Sequence, residues 1–341
     1  MVDPQKALAA FTELNSPTAT PITTGLLHQT FGVRDSSGRQ LILQRVNPVF
    51  SKDVNRNIQA VTKHLASRDI ATLSLVECDG LPFVDLGDEG LWRLMTRLSG
   101  VAFDRAETPA QLQEAGKLVA NFHRALYDFE APLYPLGFPY HDTAQHIEDL
   151  AIAVRDCTEH PLHRDIAALA KGVFEAARDL PSLHAVPARV IHGDLKFNNL
   201  LFKSATGRAT ALIDLDTLSR MPLAYDWGDA FRSWCNRRLE DEPEAELDLE
   251  LFRAACTGLA TGIDESFTPK EISSLAWGLE IVSLELCARF ATDALRESYF
   301  GWDNQRFQSA GEHNRSRARG QFDLYRQARD THTERAELLA S

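Results

Sequence analysis

The segment from Val190 to Asp216 constrains this chain more than any other. Val190-Ile191 and Leu200-Leu201-Phe202 are apolar runs that enclose a polar loop, His192-Gly193-Asp194-Leu195-Lys196-Phe197-Asn198-Asn199. After a turn at Lys203-Ser204-Ala205-Thr206-Gly207-Arg208, the run Ala211-Leu212-Ile213 closes on Asp214-Leu215-Asp216. Short apolar runs bounded by turn residues read as strands. Residues 188–217 are therefore predicted to be a loop-and-hairpin insertion in a half of the chain whose remaining pattern is helical.

The order Asp, then Asn five positions on, then a later Asp matches a phosphoryl-transfer layout. One Asp orients the attacking hydroxyl, and the Asn and the later Asp hold magnesium. Asp194 is expected to accept the hydroxyl proton, and Lys196 to reach a γ-phosphate oxygen as a point charge. Asn199 and Asp214 offer hard oxygen ligands for Mg2+. Asp216 either touches a second metal or caps a turn. His192 reads as structural, bonded to nearby backbone. Taken singly, these residues also suit turns; the joint spacing is what favours chemistry.

Residues 20–100 read as strand-rich with one helix. Gly25 to Val33 and Leu41 to Arg45 flank the turn signal Asp35-Ser36-Ser37-Gly38-Arg39, giving a hairpin. Ser51 to Ala66 spaces Val54, Ile58, Val61 and Leu65 for one apolar helix face. Strands over 73–76 and 91–95 complete a small sheet, and Ser99-Gly100 divides the chain into lobes at 1–98 and 99–341. Beyond it, Thr108-Pro109-Ala110-Gln111 is a capping box with proline at the first helical position. Further helices are expected at 143–157, 161–179, 246–261, 269–297 and 315–329. The acidic run Glu240-Asp241-Glu242-Pro243-Glu244 reads as a solvated loop, with recruitment of a cationic substrate as the alternative.

A net charge of −12 disfavours nucleic acid and anionic membranes as partners. The five cysteines lack C-x-x-C spacing and fit reduced thiols of a cytoplasmic protein. The N-terminal residues carry no secretion signal, and no apolar run reaches bilayer length.

The segment His192 to Asp214, followed by Tyr225-Asp226-Trp227-Gly228-Asp229, resembles the aminoglycoside phosphotransferase and choline kinase superfamily. Leu43-Gln44-Arg45-Val46-Asn47, Val49-Phe50, Trp92-Arg93, Phe138 with His141-Asp142-Thr143, Ile213 to Leu218, and His313-Asn314 with Arg317-Ala318-Arg319 and Gln321-Phe322 resemble a narrower branch, the N-acetylhexosamine 1-kinases.

The resemblance implies an α+β, bilobal, protein-kinase-like fold with a mostly β small lobe and a larger, mostly α lobe. ATP and Mg2+ would lie between the lobes, with adenine on the hinge backbone near Met95-Thr96-Arg97-Leu98. Asp226 would brace the catalytic loop. Gln44 or Arg45 takes the place of the family's strand lysine. Alternation puts the two on opposite faces, and Arg45 is chemically the better phosphate ligand. Gly25 to Gly32 stands where a phosphate-cradling loop is expected, without G-x-G-x-x-G. The helix that should supply an ion-pairing Glu offers Arg56 and Asn57. His28, Tyr299 and Arg317 are candidates for the sugar site, with Phe300 and Trp302 as further wall; His123 and Arg124 read as structural. The expected activity is transfer of the γ-phosphate to the anomeric hydroxyl of an N-acetylhexosamine. A same-fold kinase for an amino alcohol, homoserine or an aminoglycoside is the alternative, and a nucleotide-binding pseudokinase a further one.

Overall fold

The computed structural model describes residues 3–22 and 27–340; Gly25 and Leu26 of the small-lobe loop lie outside them. Strands β1 (Thr18–Ile22), β2 (Gln29–Arg34), β3 (Gln40–Arg45), β4 (Val84–Asp85) and β5 (Leu91–Thr96) form an antiparallel sheet in the order β1-β2-β3-β5-β4. The β2–β3 hairpin turns where the sequence signals it, and the Asp35 carboxylate accepts from the Ser37 and Arg39 N–H groups there. Phe31, Val33, Leu41, Leu43, Trp92 and Leu94 share one face, packed with Ala7 and Leu8 of α1 (Gln5–Ala10) and with Phe11. The opposite face presents Thr30, Ile42, Gln44, Arg93 and Met95 to a large cleft.

The strand expected over 73–76 is reduced to a bridge between Leu75 and Met95. The outer edge of β5 is shared. Residues 74–76 bond its second half, and Val84–Asp85 pair with its first, so neither partner runs long. Helix α2 (Val54–Ser67) buries Val54, Ile58, Val61 and Leu65 as the spacing predicts.

The larger lobe contains α3 (Pro109–Ala125), α4 (Thr143–Asp156), α5 (His163–Ala177), α6 (Leu223–Trp234), α7 (Leu249–Ala260), α8 (Pro269–Arg296), α9 (Ala310–Asp330) and α10 (His332–Ala340). The Thr108–Gln111 capping box forms at α3. Helix α8 is the axis against which α4, α5, α6, α9 and α10 pack. It approaches α6 closely, where a Cβ on Gly278 would lie 2.2 Å from the Ala224 carbonyl oxygen. Side chains are absent there because backbone meets backbone. Helix α6 carries the Tyr225–Asp229 segment and was not anticipated as a helix. It is buried almost all round, its polar Asp226, Asp229 and Arg232 included.

Between α5 and α6, β6 (Ala188–Ile191) pairs with β9 (Ser219–Pro222), and β7 (Leu200–Phe202) with β8 (Ala209–Leu212). This is the predicted insertion, extended by β9. Among the described residues, no helix is long and apolar enough to cross a membrane, and all five cysteines are free.

Candidate active site

Strand β6 delivers His192, Gly193 and Asp194 to the mouth of a cleft of about 880 Å³ between the sheet and the helical lobe. Gly193 turns the chain at φ +87°, where a Cβ would stand 2.7 Å from the Thr217 carbonyl oxygen. Only glycine fits that turn. Asp226, in the first turn of α6, accepts from the N–H groups of His192 (2.7 Å) and Gly193 (2.6 Å) and from Nε2 of His123 (2.8 Å). Burial opposes its charge, and these donors outweigh it and hold the carboxyl below its usual range. The expected brace thus has a geometry, and His123 is part of it. His192 accepts from the Asp194 N–H at Nδ1 (3.2 Å) and donates through Nε2 to the Ile213 carbonyl (2.9 Å). It ties the Asp194 loop to the strand leading to Asp214, as a structural residue would.

The half-buried Asp194 carboxylate lies 3.2 Å from the Lys196 ammonium. Burial would raise its pKa, but Lys196 and His192 keep it below the ordinary value. The Asp194 charge in turn raises that of Lys196. Both groups are held ionised. Asn199 donates from Nδ2 to the Asp194 carbonyl (2.8 Å) and carboxylate (3.2 Å). Its amide nitrogen is therefore engaged, and its carbonyl oxygen is the atom left to meet a cation.

Asp214 adopts a left-handed backbone conformation (φ 64°, ψ 60°), which Asp tolerates better than most residues. Its carboxylate faces the cleft. Enclosure by the cleft, with the Asp216 and Asp194 charges nearby, pushes its pKa up to about 6. A carboxylate destabilised by two like charges suits a divalent cation, so the donor set of Asn199 and Asp214 fits one.

Asp216 is placed differently from expectation. Its two oxygens each accept from Arg93, Oδ1 from Nη1 and Oδ2 from Nη2, both at 2.6 Å. Burial opposes the charge, and the guanidinium, helped by His28, holds the carboxyl far below its usual range. An ion pair thus occupies the oxygens expected to reach a metal, although ligand atoms of His28, Asp214 and Asp216 lie within 4.8 Å of one another. His28 is also committed. Nε2 lies 3.2 Å from Asp216, and Nδ1 accepts from the Asn47 N–H. It supports the Asp216 corner and lines the cleft, the place expected for a sugar-site candidate.

Arg93 was quoted in the sequence only as part of a resemblance. Its Nε and Nη2 donate to Oε1 of Gln44 (2.9 and 2.7 Å), and Nη1 reaches Oδ1 of Asn55 at 3.4 Å. Gln44 and Arg93 are cross-strand partners, so both face the cleft, while Arg45 and Trp92 face the other way. Arg45 donates from Nε to the Glu89 carbonyl at 2.8 Å. Its expected phosphate role is overturned by strand alternation. The α2 residue facing this cluster is Asn55, whereas Asn57 holds the backbone of Tyr134 and Arg56 pairs with Asp53. A cation in the middle of the apolar strand Leu91–Met95 was the available sign.

At the hinge end, Met95, Arg97 and Leu98 line the cleft, with Ile42 above and Leu201 and Ile213 below. At the other end, Arg317 donates from Nε to Asp241 (2.9 Å) and from Nη1 to the Gly301 carbonyl (2.9 Å), with the guanidinium over Phe290. Arg317 supports the wall and lines the cleft, as a candidate for the sugar site should. Tyr299 stands exposed at the rim, and Phe300 lines the cleft. The acidic run is not simply solvated. Glu240 pairs with Arg232, Asp241 with Arg317, His313 and Arg306, and Glu242 with Arg238. Asp229, buried in the same wall, accepts from Arg232 at 2.7 and 2.9 Å. Arg289 was missed. Its guanidinium sits 5.5–6.0 Å from the ring centres of Tyr140, Tyr299 and Phe300, with no hydrogen bond or ion pair among the described residues.

A model of the phosphotransferase enzyme family (APH) matches residues 18–263. Among solved structures, an aminoglycoside phosphotransferase from Alicyclobacillus acidocaldarius superposes with a TM-score of 0.62 at 16% identity, covering 98% of this chain and 97% of its own. An amicoumacin kinase in complex with AMP-PNP and Ca2+ gives 0.60 at 13%, covering 97% and 93%. An ethanolamine kinase from Plasmodium vivax gives 0.56 at 13%, covering 93% and 85%. At such identities the likeness is one of fold, the kinase-like arrangement of a five-stranded antiparallel sheet and a mostly helical lobe.

Proposed function

This chain belongs to the phosphotransferase enzyme family, and we propose that it moves the γ-phosphate of ATP to the anomeric hydroxyl of an N-acetylhexosamine, giving a sugar 1-phosphate. The family sets the enzyme class, a phosphotransferase with an alcohol group as acceptor. ATP with a divalent cation agrees with the AMP-PNP and Ca2+ of the amicoumacin kinase complex.

Phosphoryl transfer requires positioning and charge neutralisation more than covalent help. Asp194 accepts the hydrogen bond of the attacking hydroxyl, aligns it, and receives its proton late in the reaction. Lys196, held charged beside Asp194, reaches a γ-phosphate oxygen. The Asn199 carbonyl and the Asp214 carboxylate hold Mg2+, which screens the phosphate charge when bound. Adenine lies between Ile42 and Met95 above and Leu201 and Ile213 below, with its polar edge on the backbone near Met95–Leu98. The pair of Arg93 with Asp216, supported by Gln44 and His28, fixes the metal-binding turn to the sheet, where the fold's usual strand lysine and helix glutamate would stand.

The acceptor is argued from charge balance. A cationic acceptor, such as an aminoglycoside or amino alcohol, would require acids free to receive it. In the wall formed by α6, α8 and residues 297–302, Asp229 and Glu240 are both paired with Arg232, and Asp241 with Arg317. Among the described residues, the Arg289 guanidinium there has no hydrogen bond or ion pair and lies beside three aromatic rings, while Asp229 spends Oδ1 on Arg232 and leaves Oδ2 without a donor. An unpaired guanidinium beside aromatic faces suits a hydroxylated ring bearing a carbonyl acceptor, as an acetamido sugar does. The unpaired guanidinium of Arg289 carries the sugar assignment. The test is ADP release with N-acetylglucosamine, N-acetylgalactosamine, kanamycin, ethanolamine and homoserine, followed by phosphorus NMR of the product. Phosphate on C1 of an acetamido sugar is expected; turnover confined to the cationic acceptors would overturn the assignment.

A further inference from the structure

Asp226 and His192 hold the N–H groups of the catalytic loop; its carbonyl side is held from elsewhere. The Gly193 carbonyl accepts from the Tyr140 hydroxyl at 2.6 Å and faces Nε2 of His141 at 3.1 Å. This carbonyl belongs to the peptide joining Gly193 to Asp194, whose N–H is bound by His192 at 3.2 Å. The peptide is gripped on both edges, and rotation about it is what would swing the Asp194 side chain.

The other ring nitrogen of His141 meets Oε1 of Glu285 at 2.9 Å, and Oε2 of Glu285 accepts from the Thr143 hydroxyl at 2.7 Å. Both nitrogens of His141 therefore face acceptors, and only the imidazolium has two N–H donors. His141 is buried, and its backbone lies in the left-handed region at φ 51°. Glu285 and Arg289 face it from α8, Asp229 and Tyr225 from α6, and Tyr140 adjoins it. Burial opposes the charge, and Arg289 adds to that. Glu285 and Asp229 outweigh both and hold the proton above the usual histidine range.

We propose that His141, charged against Glu285, is a positioning residue that aims the Asp194 carboxylate by clamping the Gly193 carbonyl together with Tyr140. The inference rests on Asp194 being the carboxylate that meets the acceptor hydroxyl. The clamp is complete below the raised pKa of His141 and loosens as pH rises through it, so turnover falls on the alkaline side.

The test compares kcat and KM over pH for the full chain and for Glu285→Gln, Tyr140→Phe and Asp194→Asn, with ATP, Mg2+ and N-acetylglucosamine. Hydrolysis of ATP by water serves as the readout if that sugar is not turned over. Glu285→Gln keeps an acceptor for Nδ1 but removes the charge. It should lower kcat at pH 8 about tenfold, the scale of one net hydrogen bond, and move the alkaline fall to lower pH with KM for ATP unchanged. Tyr140→Phe, which removes only a hydroxyl, should lower kcat at unchanged KM for ATP and keep the native alkaline limb. A Glu285→Gln profile superimposed on the native one would overturn the clamp, provided Asp194→Asn is inactive. Full activity in Asp194→Asn would overturn the role of Asp194 itself, and the clamp with it.

Discussion

Replacing Arg93 with Met keeps an unbranched stem of similar reach and removes the charge. Arg93 and Asp216 are each 2% exposed, so the variant leaves a carboxylate deep in the protein without the two donors at 2.6 Å. Breaking one side of a buried ion pair costs about 3–5 kcal/mol. Gln44 loses two donors as well, but it lies half-buried in the cleft where water can replace them. His28, with Nε2 at 3.2 Å, remains as a partner and offsets part of the loss. The expected cost at pH 7.5 is therefore about 3 kcal/mol, near the lower end of that range. The pH dependence has a definite sign. In the native protein the Asp216 carboxyl is depressed, so its contribution is complete above its unfolded value near pH 4 and fades only as pH falls below it. In the variant, burial without the guanidinium raises the carboxyl, so the cost shrinks as pH falls and the group protonates. Urea unfolding followed by tryptophan fluorescence at pH 7.5 and pH 5 measures both effects. The double variant Arg93→Met with Asp216→Asn should cost less than the sum of the single changes by about 2 kcal/mol. A loss under about 1 kcal/mol in Arg93→Met, or an additive double variant, would refute a buried pair joining the sheet to the Asp214–Asp216 turn.

Asp194→Asn should lower kcat by roughly 10²–10⁴, the usual contribution of a positioned base, with the far-ultraviolet circular dichroism unchanged; near-native turnover would remove Asp194 from the chemistry. Arg289→Met should raise KM for the acceptor roughly 10–100-fold, the scale of a charged hydrogen bond, while KM for ATP moves less than about threefold. Equal losses for both substrates would place Arg289 outside the acceptor site. Gly278→Ala should destabilise by about 3 kcal/mol, because its Cβ meets the Ala224 carbonyl at 2.2 Å and neither helix can yield a side chain. A melting temperature within about 2 °C of native would contradict that close approach.

The parts of this protein governed by local chemistry were legible early. The Asp35–Gly38 turn, the Thr108–Gln111 capping box and the apolar face of α2 depend on residues within a few positions of one another, and they formed as predicted. Helix α6 was missed although Leu223, Trp227, Ala230, Phe231 and Trp234 have helical spacing, a signal that was in the sequence. Residues 73–76 paired poorly because β4 competes for the same edge of β5, which local pattern cannot reveal. Of the four acids in the run Glu240 to Glu244, Glu242 pairs with its sequence neighbour Arg238, while Glu240 and Asp241 are reached by arginines of α6, α9 and the loop before α9.

The sequence by itself determined the reaction class, because Asp194, Lys196, Asn199 and Asp214 lie on one short strand-loop-strand frame whose spacing follows from covalent connectivity. Tertiary structure alone decided which ionisable groups remain available. Arg45 lost a phosphate role and Arg93 acquired a structural one through their places on opposite faces of paired strands. Asp216, His28 and Arg317 were drawn into buried bonds, and Arg289 was left without one. Pairing across 16 to 188 residues of sequence depends on where the folded backbone brings charges together. A side chain's chemistry is written in its type, but whether its donors are free is set by its neighbours in space.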